Sequence, residues 1–330
     1  MEYVSNPALH GLQLPFEWKG TPVDGQGRFV NYEFPHRYSL RDVLKWRLQS
    51  NPQRAEKKQE QWHPAIDKSA AFLHAPDDCI VWLGHATFFI RLAGIQLLID
   101  PVFYNIPLIK RKVTFPIEPA HLKGLDYVLI SHNHLDHCDK RSLQLVADNN
   151  PGATYLTGLR MESLLHRFTN SNNIQAAGWY QQYNTDDRIK ICYLPARHWT
   201  KRGLRDVNRQ LWGAFVIQGA GKTIYFAADS GYGSHFTDAG RIFPHIDYCI
   251  IGIGAYKPEW FMAQSHVSPK DAVKACNDMH AGVMIPMHYG TFDLADEPMG
   301  DPISALLHLK QQEYIHGRLE NRKIGEMLPI

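Results

Sequence analysis

The residues with the clearest chemical potential lie in one short segment, 131–137, whose sequence is SHNHLDH. It holds three imidazoles and a carboxylate: His132, His134, Asp136 and His137. Protonated imidazoles this close repel one another, and burying such groups without a partner is costly. A divalent cation removes both costs. His132 and His134 alternate in an extended turn and point one way, whereas Asp136 and His137 come round to the other side. One loop can therefore serve two metal ions.

Three further candidates, His198, Asp229 and His288, each stand where a later predicted strand ends. Taken singly, each has an ordinary explanation: a capping Asp in a turn, or a hydrogen-bonded loop His. Together they complete a binuclear site, because a carboxylate can bridge two cations while each imidazole fills one further position. Such a donor set suits zinc, iron and manganese alike.

The elements that must position these residues begin near residue 79, where short β-rich runs start to alternate with helical segments. Strand runs of this apolarity imply sheets covered by helices on at least one face, which is an α/β layered domain. The predicted strands cover residues 79–83, 87–92, 95–99, 127–130, 153–156, 190–194, 211–217, 223–227, 248–251 and 283–286, and the predicted helices cover 140–148, 159–168, 235–242 and 269–279.

Residues 1–75 are predicted to form an N-terminal extension that packs on or caps a main domain over 76–330. The extension is rich in Pro, Gly, Trp and charge, and it holds one predicted helix, 39–49, with Ser39 as N-cap. We expect the apolar face of this helix to pack on the main core. A membrane-surface role is the alternative, because the basic residues of 28–68 outnumber the acidic ones. The apolar face consists of Leu40, Val43, Leu44 and Leu48.

Composition excludes several classes of protein. The chain has 330 residues and a net charge of +2, which gives no field of the kind that a nucleic-acid-coating protein needs, so no nucleic-acid partner is expected. Its longest apolar stretch, 79–100, is broken by His85 and Arg91, so no membrane-spanning helix is predicted. The first residues do not resemble a signal peptide, and we expect a cytoplasmic protein. Five widely spaced cysteines suggest neither a disulfide framework nor a thiolate zinc site.

The order His-x-His-x-Asp-His, then His, Asp and His, resembles the metallo-β-lactamase superfamily of binuclear hydrolases. The resemblance implies an αβ/βα four-layer sandwich, in which two mixed β-sheets are flanked by helices. It also implies two divalent metal ions, with zinc the expected one. It would assign His132, His134 and His198 to one ion, Asp136, His137 and His288 to the other, and Asp229 as the bridge.

Further segments are similar to one branch of that superfamily, the N-acyl-phosphatidylethanolamine-hydrolysing phospholipases D. The similarity implies hydrolysis of this lipid to phosphatidic acid and an N-acylethanolamine by a metal-bound hydroxide, a peripheral membrane location and a homodimer. The loop 101–115 departs from the pattern, being shorter than in the animal enzymes. The similar segments are 27–31 (GRFVN), 82–87 (WLGHAT), 100–103 (DPVF), 196–199 (ARHW), 254–262 (GAYKPEWFM) and 288–292 (HYGTF).

Several residues are predicted to act on the substrate. Asp136 is expected to orient the nucleophile as well as bind metal, and His266 matches a family histidine that lies at the phosphate. Lys201 and Arg202 are expected to attract a phosphodiester, as is the cluster 110–112 (KRK). His85 is expected to contact substrate or to support a ligand from behind, and a purely structural hydrogen-bonding role is the alternative. An apolar entrance is predicted from Tyr104, Ile106, Leu108 and Ile109, with Trp260, Phe261 and Met262 as a second wall.

Two other functions remain open from the sequence. The Gly-His-Ala-Thr and Asp-Pro segments also occur in lactonase-like relatives, so a water-soluble lactone or sugar phosphate is the alternative substrate. A non-catalytic lipid- or metal-binding protein is the third hypothesis, and it predicts a bound cation without turnover.

Overall fold

The structure is a computed structural model, and it describes residues 1–31, 33–35 and 39–330. The strands formed by these residues are β1 (Glu2–Val4), β2 (His10–Gly11), β3 (Thr21–Val23), β4 (Cys79–Gly84), β5 (Thr87–Leu92), β6 (Ile95–Ile99), β7 (Tyr127–Ile130), β8 (Thr154–Gly158), β9 (Ile174–Ala177), β10 (Gln181–Gln182), β11 (Ile189–Leu194), β12 (Ala214–Gly219), β13 (Lys222–Phe226), β14 (Tyr248–Gly252), β15 (Val283–Met287), β16 (Arg318–Leu319) and β17 (Met327–Pro329). The α-helices are α1 (Leu40–Leu48), α2 (Arg54–Gln59), α3 (Lys140–Asn149), α4 (Glu162–Thr169), α5 (His235–Ile242), α6 (Glu259–Met262), α7 (Pro269–Asp278) and α8 (Asp301–Gln311).

Two large mixed sheets form the centre of the molecule. One has the strand order β16-β15-β14-β13-β12-β11-β10-β2, and the other has the order β17-β4-β5-β6-β7-β8-β9. In each sheet an antiparallel part adjoins a parallel part: β13 to β16 run parallel, and so do β6 to β9. Strands β1 and β3 form a separate antiparallel pair.

Alternation along β5 shows how the layers are built. Phe88 faces the opposite sheet, with its ring 6.0 Å from that of Phe226, whereas Phe89 faces away, in a cluster with Leu143 of α3. Successive strand residues point to opposite faces, so a continuous apolar run serves two interfaces at once. Helix α3 packs beside α4, and α7 packs beside α5 and α8. The αβ/βα four-layer sandwich is therefore confirmed.

The predicted strands and helices are present, with ends that differ from the predicted ones by at most three residues. The predicted N-caps also form: Ser39 Oγ accepts the Arg41 N–H at 3.1 Å, and Ser268 Oγ accepts the Asp271 N–H at 3.2 Å. Among the helices of the described residues, none combines the length and apolarity needed to cross a bilayer.

The N-terminal extension contacts the loop that follows β15. Trp62 stacks on Tyr289 at 6.1 Å between ring centroids, and Tyr289 stacks in turn on Trp82 at 5.0 Å. The Glu60 carboxylate accepts the N–H of Gly300 at 2.8 Å, directly before α8. These contacts place residues of the extension beside the carboxyl end of β15.

The expected packing of α1 is wrong. Leu44 and Leu48, which should face the core, are 60% and 82% exposed. Trp46 lies on the opposite side of the helix and stacks on Phe261 at 5.1 Å. The larger aromatic surface decides which face is buried, and the leucines are left facing outward.

Arg111 was expected to attract phosphate within the cluster 110–112, and this is also wrong. Its guanidinium turns inward and donates to the carbonyls of Val102 (2.7 Å), Leu83 (2.8 Å) and Val113 (3.0 Å). Burial lowers the pKa of Arg111 to about 10, so the group is still charged at neutral pH. It fixes the loop 101–115 to β4.

We expect Arg111→Met to lower the free energy of unfolding by roughly 2–4 kcal/mol, because three carbonyls lose hydrogen bonds from a charged donor. The neighbouring Lys110 is exposed, and Lys110→Met is the matched control, with a change within about 0.5 kcal/mol. Urea denaturation of both variants measures the difference. Equal effects at the two positions would contradict the inward role of Arg111.

Candidate metal centre

The candidate residues collect where strands of both sheets end. Because parallel neighbours finish at the same edge of a sheet, side chains that follow them come close together. His85 follows β4, Asp100 follows β6, the 131–137 loop follows β7, and His198, Asp229 and His288 lie beyond the ends of β11, β13 and β15.

The first group of donors consists of His132, His134, His198 and Asp229. His134 Nδ1 lies 3.0 Å from His132 Nε2 and 3.2 Å from His198 Nε2. Asp229 Oδ2 lies 3.9 Å from His132 Nε2 and 3.7 Å from His198 Nε2. Four donors thus surround one small volume.

The second group consists of Asp136, His137 and His288, again with Asp229. Asp136 Oδ2 lies 3.6 Å from His137 Nε2 and 3.5 Å from His288 Nε2. The two Asp229 oxygens lie 3.1 Å from His137 Nε2 and from His288 Nε2 respectively. Asp229 therefore stands between the two groups.

Asp100 sets the orientation of two of these imidazoles, although sequence reasoning did not place it in the site. Its Oδ2 accepts hydrogen bonds from Ser131 Oγ at 2.6 Å and from His137 Nδ1 at 2.8 Å. Ser131 Oγ in turn accepts from His132 Nδ1 at 2.9 Å. The proton on each Nδ1 leaves the Nε2 lone pair facing the donor groups. In the sequence, Asp100 is marked only by its place in the segment 100–103 (DPVF), which is similar to the phospholipase branch.

His198 is oriented in the same way, since its Nδ1 donates to the Ser265 carbonyl at 3.0 Å. With His134 Nδ1 unprotonated, the lone pairs of the three nitrogens face one another at 3.0–3.2 Å and repel unless a cation lies between them. Donors around a tetrahedral ion with 2.0–2.1 Å bonds are about 3.3 Å apart, which matches this spacing. The residues present fit a pair of divalent cations.

The carboxylates stabilise positive charge in the second group. Burial lowers the pKa of His137, but Asp229 and Asp136 outweigh this and raise the pKa well above its ordinary value. Burial likewise opposes protonation of His288, and Asp229 is again the main group that raises its pKa, to about 9. Burial raises the pKa of Asp136, but His137 and two hydrogen bonds lower it further, to well below the ordinary value. A bound cation would receive the same stabilisation.

His85 lies close to Asp136, His137 and His288, although it is not among the described residues that line the cavity. Its Nε2 is 2.9 Å from Asp136 Oδ2, and its backbone φ is 53°. Burial first, and then the charge of His288, lowers the pKa of His85 to about 3, so the imidazole is neutral and donates to the carboxylate. This hydrogen bond would support Asp136, and the role of His85 stays a prediction.

A cavity of about 340 Å³ opens on the donor cluster. Lys201 and His266, both predicted substrate contacts, line it, and His266 Nδ1 lies 3.9 Å from Asp229 Oδ2. Burial lowers the pKa of His266 to about 4. The apolar part of the wall comprises Trp46, Ile106, Pro107, Ile109, Phe261, Met262 and Leu294.

Arg202 is the predicted substrate contact that the structure places elsewhere. Its Nη1 donates to the carbonyls of Asn133 (2.9 Å) and Cys138 (2.7 Å), and its guanidinium lies over the Phe168 ring. It is absent from the described lining of the cavity. No pattern in the sequence indicates these contacts, because they join segments more than 60 residues apart.

Known proteins share this fold and parts of this sequence. A family model described as the beta-lactamase superfamily domain matches residues 96–289. A Caenorhabditis elegans protein named N-acyl-phosphatidylethanolamine-hydrolyzing phospholipase D 1 is 31% identical over 66% of this chain and 64% of its own length. A metal-dependent hydrolase of Aeropyrum pernix is 28% identical over 68% of this chain and 86% of its own length. The solved structure of isothiocyanate hydrolase from Delia radicum gut bacteria has a TM-score of 0.62 and 18% identity, covering 76% of this chain and 99% of that one.

The chain combines a two-sheet fold with a cluster of donors that could hold metal ions. The chain belongs to the metallo-β-lactamase superfamily, since the family model matches more than half of it. The superfamily expected from the motif is thereby confirmed. The Caenorhabditis elegans protein is covered over less than two thirds of its length, and the isothiocyanate hydrolase shows the fold alone.

We expect Asp229→Ala and His288→Ala to lose both bound metal and hydrolytic activity, because each removes a donor from the cluster. His316→Ala, at an exposed histidine outside the cluster, is the matched control and should keep both. Metal content per chain, measured by plasma mass spectrometry after dialysis, checks the expectation. An unchanged metal content in Asp229→Ala would show that Asp229 is not a metal ligand.

Proposed function

We propose that the protein is a phosphodiesterase of the phospholipase D type, which hydrolyses N-acyl-phosphatidylethanolamine to phosphatidic acid and an N-acylethanolamine. The single observation that carries the proposal is a largely apolar cavity that opens on the donor cluster, with the cationic Lys201 in its wall. A lipid phosphodiester needs this combination: apolar surface for acyl chains, and positive charge for the phosphate. The 31% identical relative that bears this activity in its name supports the assignment.

We propose two divalent ions, with zinc the expected metal. Bound ions of this kind supply Lewis acidity and a nucleophilic water near neutral pH. The donor spacing supports His132, His134 and His198 as ligands of one ion, Asp136, His137 and His288 as ligands of the other, and Asp229 as the bridge.

The chain's own residues then hold the substrate and the attacking group. Asp136 orients the nucleophile, and the hydrogen bond from His85 holds Asp136 Oδ2, the oxygen that also faces His137 and His288. His266 is in the cavity wall beside Asp229, where it can donate a hydrogen bond to the phosphate or to the departing ethanolamine oxygen. Lys201 attracts the phosphodiester. The oxygen of the attacking water would form a bond to phosphorus while the bond between phosphorus and the ethanolamine oxygen breaks. The ethanolamine oxygen takes up a proton, and the phosphate stays on the diacylglycerol.

We further propose that the cavity rim docks peripherally on a membrane. Leu108 is fully exposed, Leu48 and Leu44 of α1 are largely so, and Trp260 is 41% exposed. Pro107 and Ile109, on either side of Leu108, line the cavity, and so does Trp46 of α1, whose opposite side presents Leu44 and Leu48 to the outside. Exposed apolar side chains beside basic ones, such as Lys110, are typical of an interfacial surface.

We expect metal-replete protein to release phosphatidic acid and N-acylethanolamine from the lipid in detergent micelles, as identified by mass spectrometry. A chelator should abolish the release, and Asp229→Ala is the inactive control. Bound metal with intact lipid would refute the lipid assignment. The substrate would then be sought among soluble lactones and sugar phosphates, the alternative that the sequence left open.

We expect Leu108→Glu and Leu48→Glu each to weaken binding to anionic phospholipid vesicles by roughly tenfold, because burying one leucine contributes about 1.5–3 kcal/mol. Leu307→Glu, at a leucine of α8 that is 40% exposed, is the matched control and should bind like the parent protein. Vesicle sedimentation measures the bound fraction. Equal binding by all three variants would refute docking through this rim.

A further inference from the structure

The segment 133–138 carries three predicted ligands, His134, Asp136 and His137, and has no regular secondary structure to hold it. Inside the segment, the Cys138 N–H donates to the His134 carbonyl at 2.9 Å. This bond closes one turn, but it does not fix the turn relative to the sheets. Ligand geometry therefore depends on contacts from outside the segment.

Arg202 supplies two of these contacts. One atom, Nη1, donates to the carbonyl of Asn133 at 2.9 Å and to that of Cys138 at 2.7 Å, which are the first and last residues of the segment. The guanidinium also lies 5.0 Å over the Phe168 ring of α4. A planar charged donor seated on an aromatic face has little freedom, so the two carbonyls are held at a fixed separation.

The rest of the 199–210 loop is arranged to hold Arg202 in place. Asp206 accepts the backbone N–H groups of Arg202 and Gly203, at 3.2 Å and 2.7 Å. At the end of the loop, Gln210 Oε1 accepts a hydrogen bond from the side-chain amide of Asn133 at 2.6 Å. A loop that begins just after His198 is thus hydrogen-bonded at two points to the segment that carries the other ligands.

We propose that Arg202 is a positioning residue for the metal centre: it closes the 133–138 segment and so sets the positions of ligands in both donor groups. Its charge is satisfied by two carbonyls, and it lies outside the described lining of the cavity, in contrast to Lys201. The inference rests on the proposed ligand assignment but not on the proposed lipid substrate.

The test is metal affinity in Arg202→Lys, which keeps the charge but replaces the planar fork by a single flexible ammonium. Zinc affinity, measured by competition with a chromogenic chelator, should fall roughly tenfold. This is the lower end of the loss that is typical when a residue holding a metal ligand is replaced. At saturating zinc, kcat should fall while KM stays near that of the parent enzyme, with any hydrolysed phosphodiester as the reporter. Circular dichroism confirms that the variant is folded.

Two basic residues near Arg202 in the chain serve as matched controls. Arg205→Ala changes an exposed arginine of the same loop and should leave zinc affinity unchanged. Lys201→Ala should raise KM without weakening zinc binding, because that side chain faces the cavity. If Arg202→Lys fails to fold, Gln210→Ala carries the test, with a smaller weakening in the same direction.

Unchanged zinc affinity with a raised KM in Arg202→Lys would overturn the proposal and make Arg202 a substrate contact. Failure of the parent protein to bind zinc would overturn it together with the ligand assignment. Zinc binding that weakens as expected, in a protein that leaves N-acyl-phosphatidylethanolamine intact, would support the positioning role while refuting the lipid substrate.

Discussion

The whole site depends on the repulsion between imidazole lone pairs gathered in a buried space. His132, His134 and His198 bring nitrogens within 3.0–3.2 Å. The orientation of His132 is enforced by Ser131, which bonds to Asp100, and that of His198 by the Ser265 carbonyl. Positive charge between the nitrogens relieves the repulsion and also neutralises Asp136 and Asp229. The surrounding hydrogen bonds thus hold the donors in an arrangement that favours a cation.

The backbone is also strained at this place. His85, Asp100 and His288 have φ angles of 53°, 42° and 63°, which is the left-handed region that residues other than glycine rarely adopt. Each such residue costs of order 1–3 kcal/mol and persists only where its surroundings over-determine it. Here the His288 N–H donates to the His85 carbonyl at 3.1 Å, and the His85 N–H donates to Thr291 Oγ1 at 2.8 Å. Packing of both sheets supports the strained turns that carry the donors.

Features that depend on neighbouring residues can be predicted from the sequence, whereas contacts between distant segments cannot. The strands β4 to β8 and β11 to β15 are apolar runs bounded by turn residues, and the predicted ligands lie beyond the ends of β7, β11, β13 and β15, so both are readable locally. Strand β9 and helix α8 were not predicted, since their patterns are short or weak. The inward turn of Arg111 and the contacts of Arg202 join distant segments through backbone carbonyls, which no pattern in the sequence marks. In α1 the leucine spacing was clear, but its partner surface was not, and Trp46 decided the packing.

The family relationship and the cavity bear on different parts of the function. The family model covers residues 96–289, which include the seven proposed metal ligands, and a shared metal centre is compatible with many substrates. The cavity extends beyond this region: Asp42 and Trp46 come from the N-terminal extension, and Leu294 follows the matched part. Residues that contact the parts of a substrate away from the reacting atoms govern which substrate is accepted. The extension, through Asp42 and Trp46, is therefore part of the wall of the cavity that opens on the donor cluster, and under the proposed function it would contribute to substrate choice.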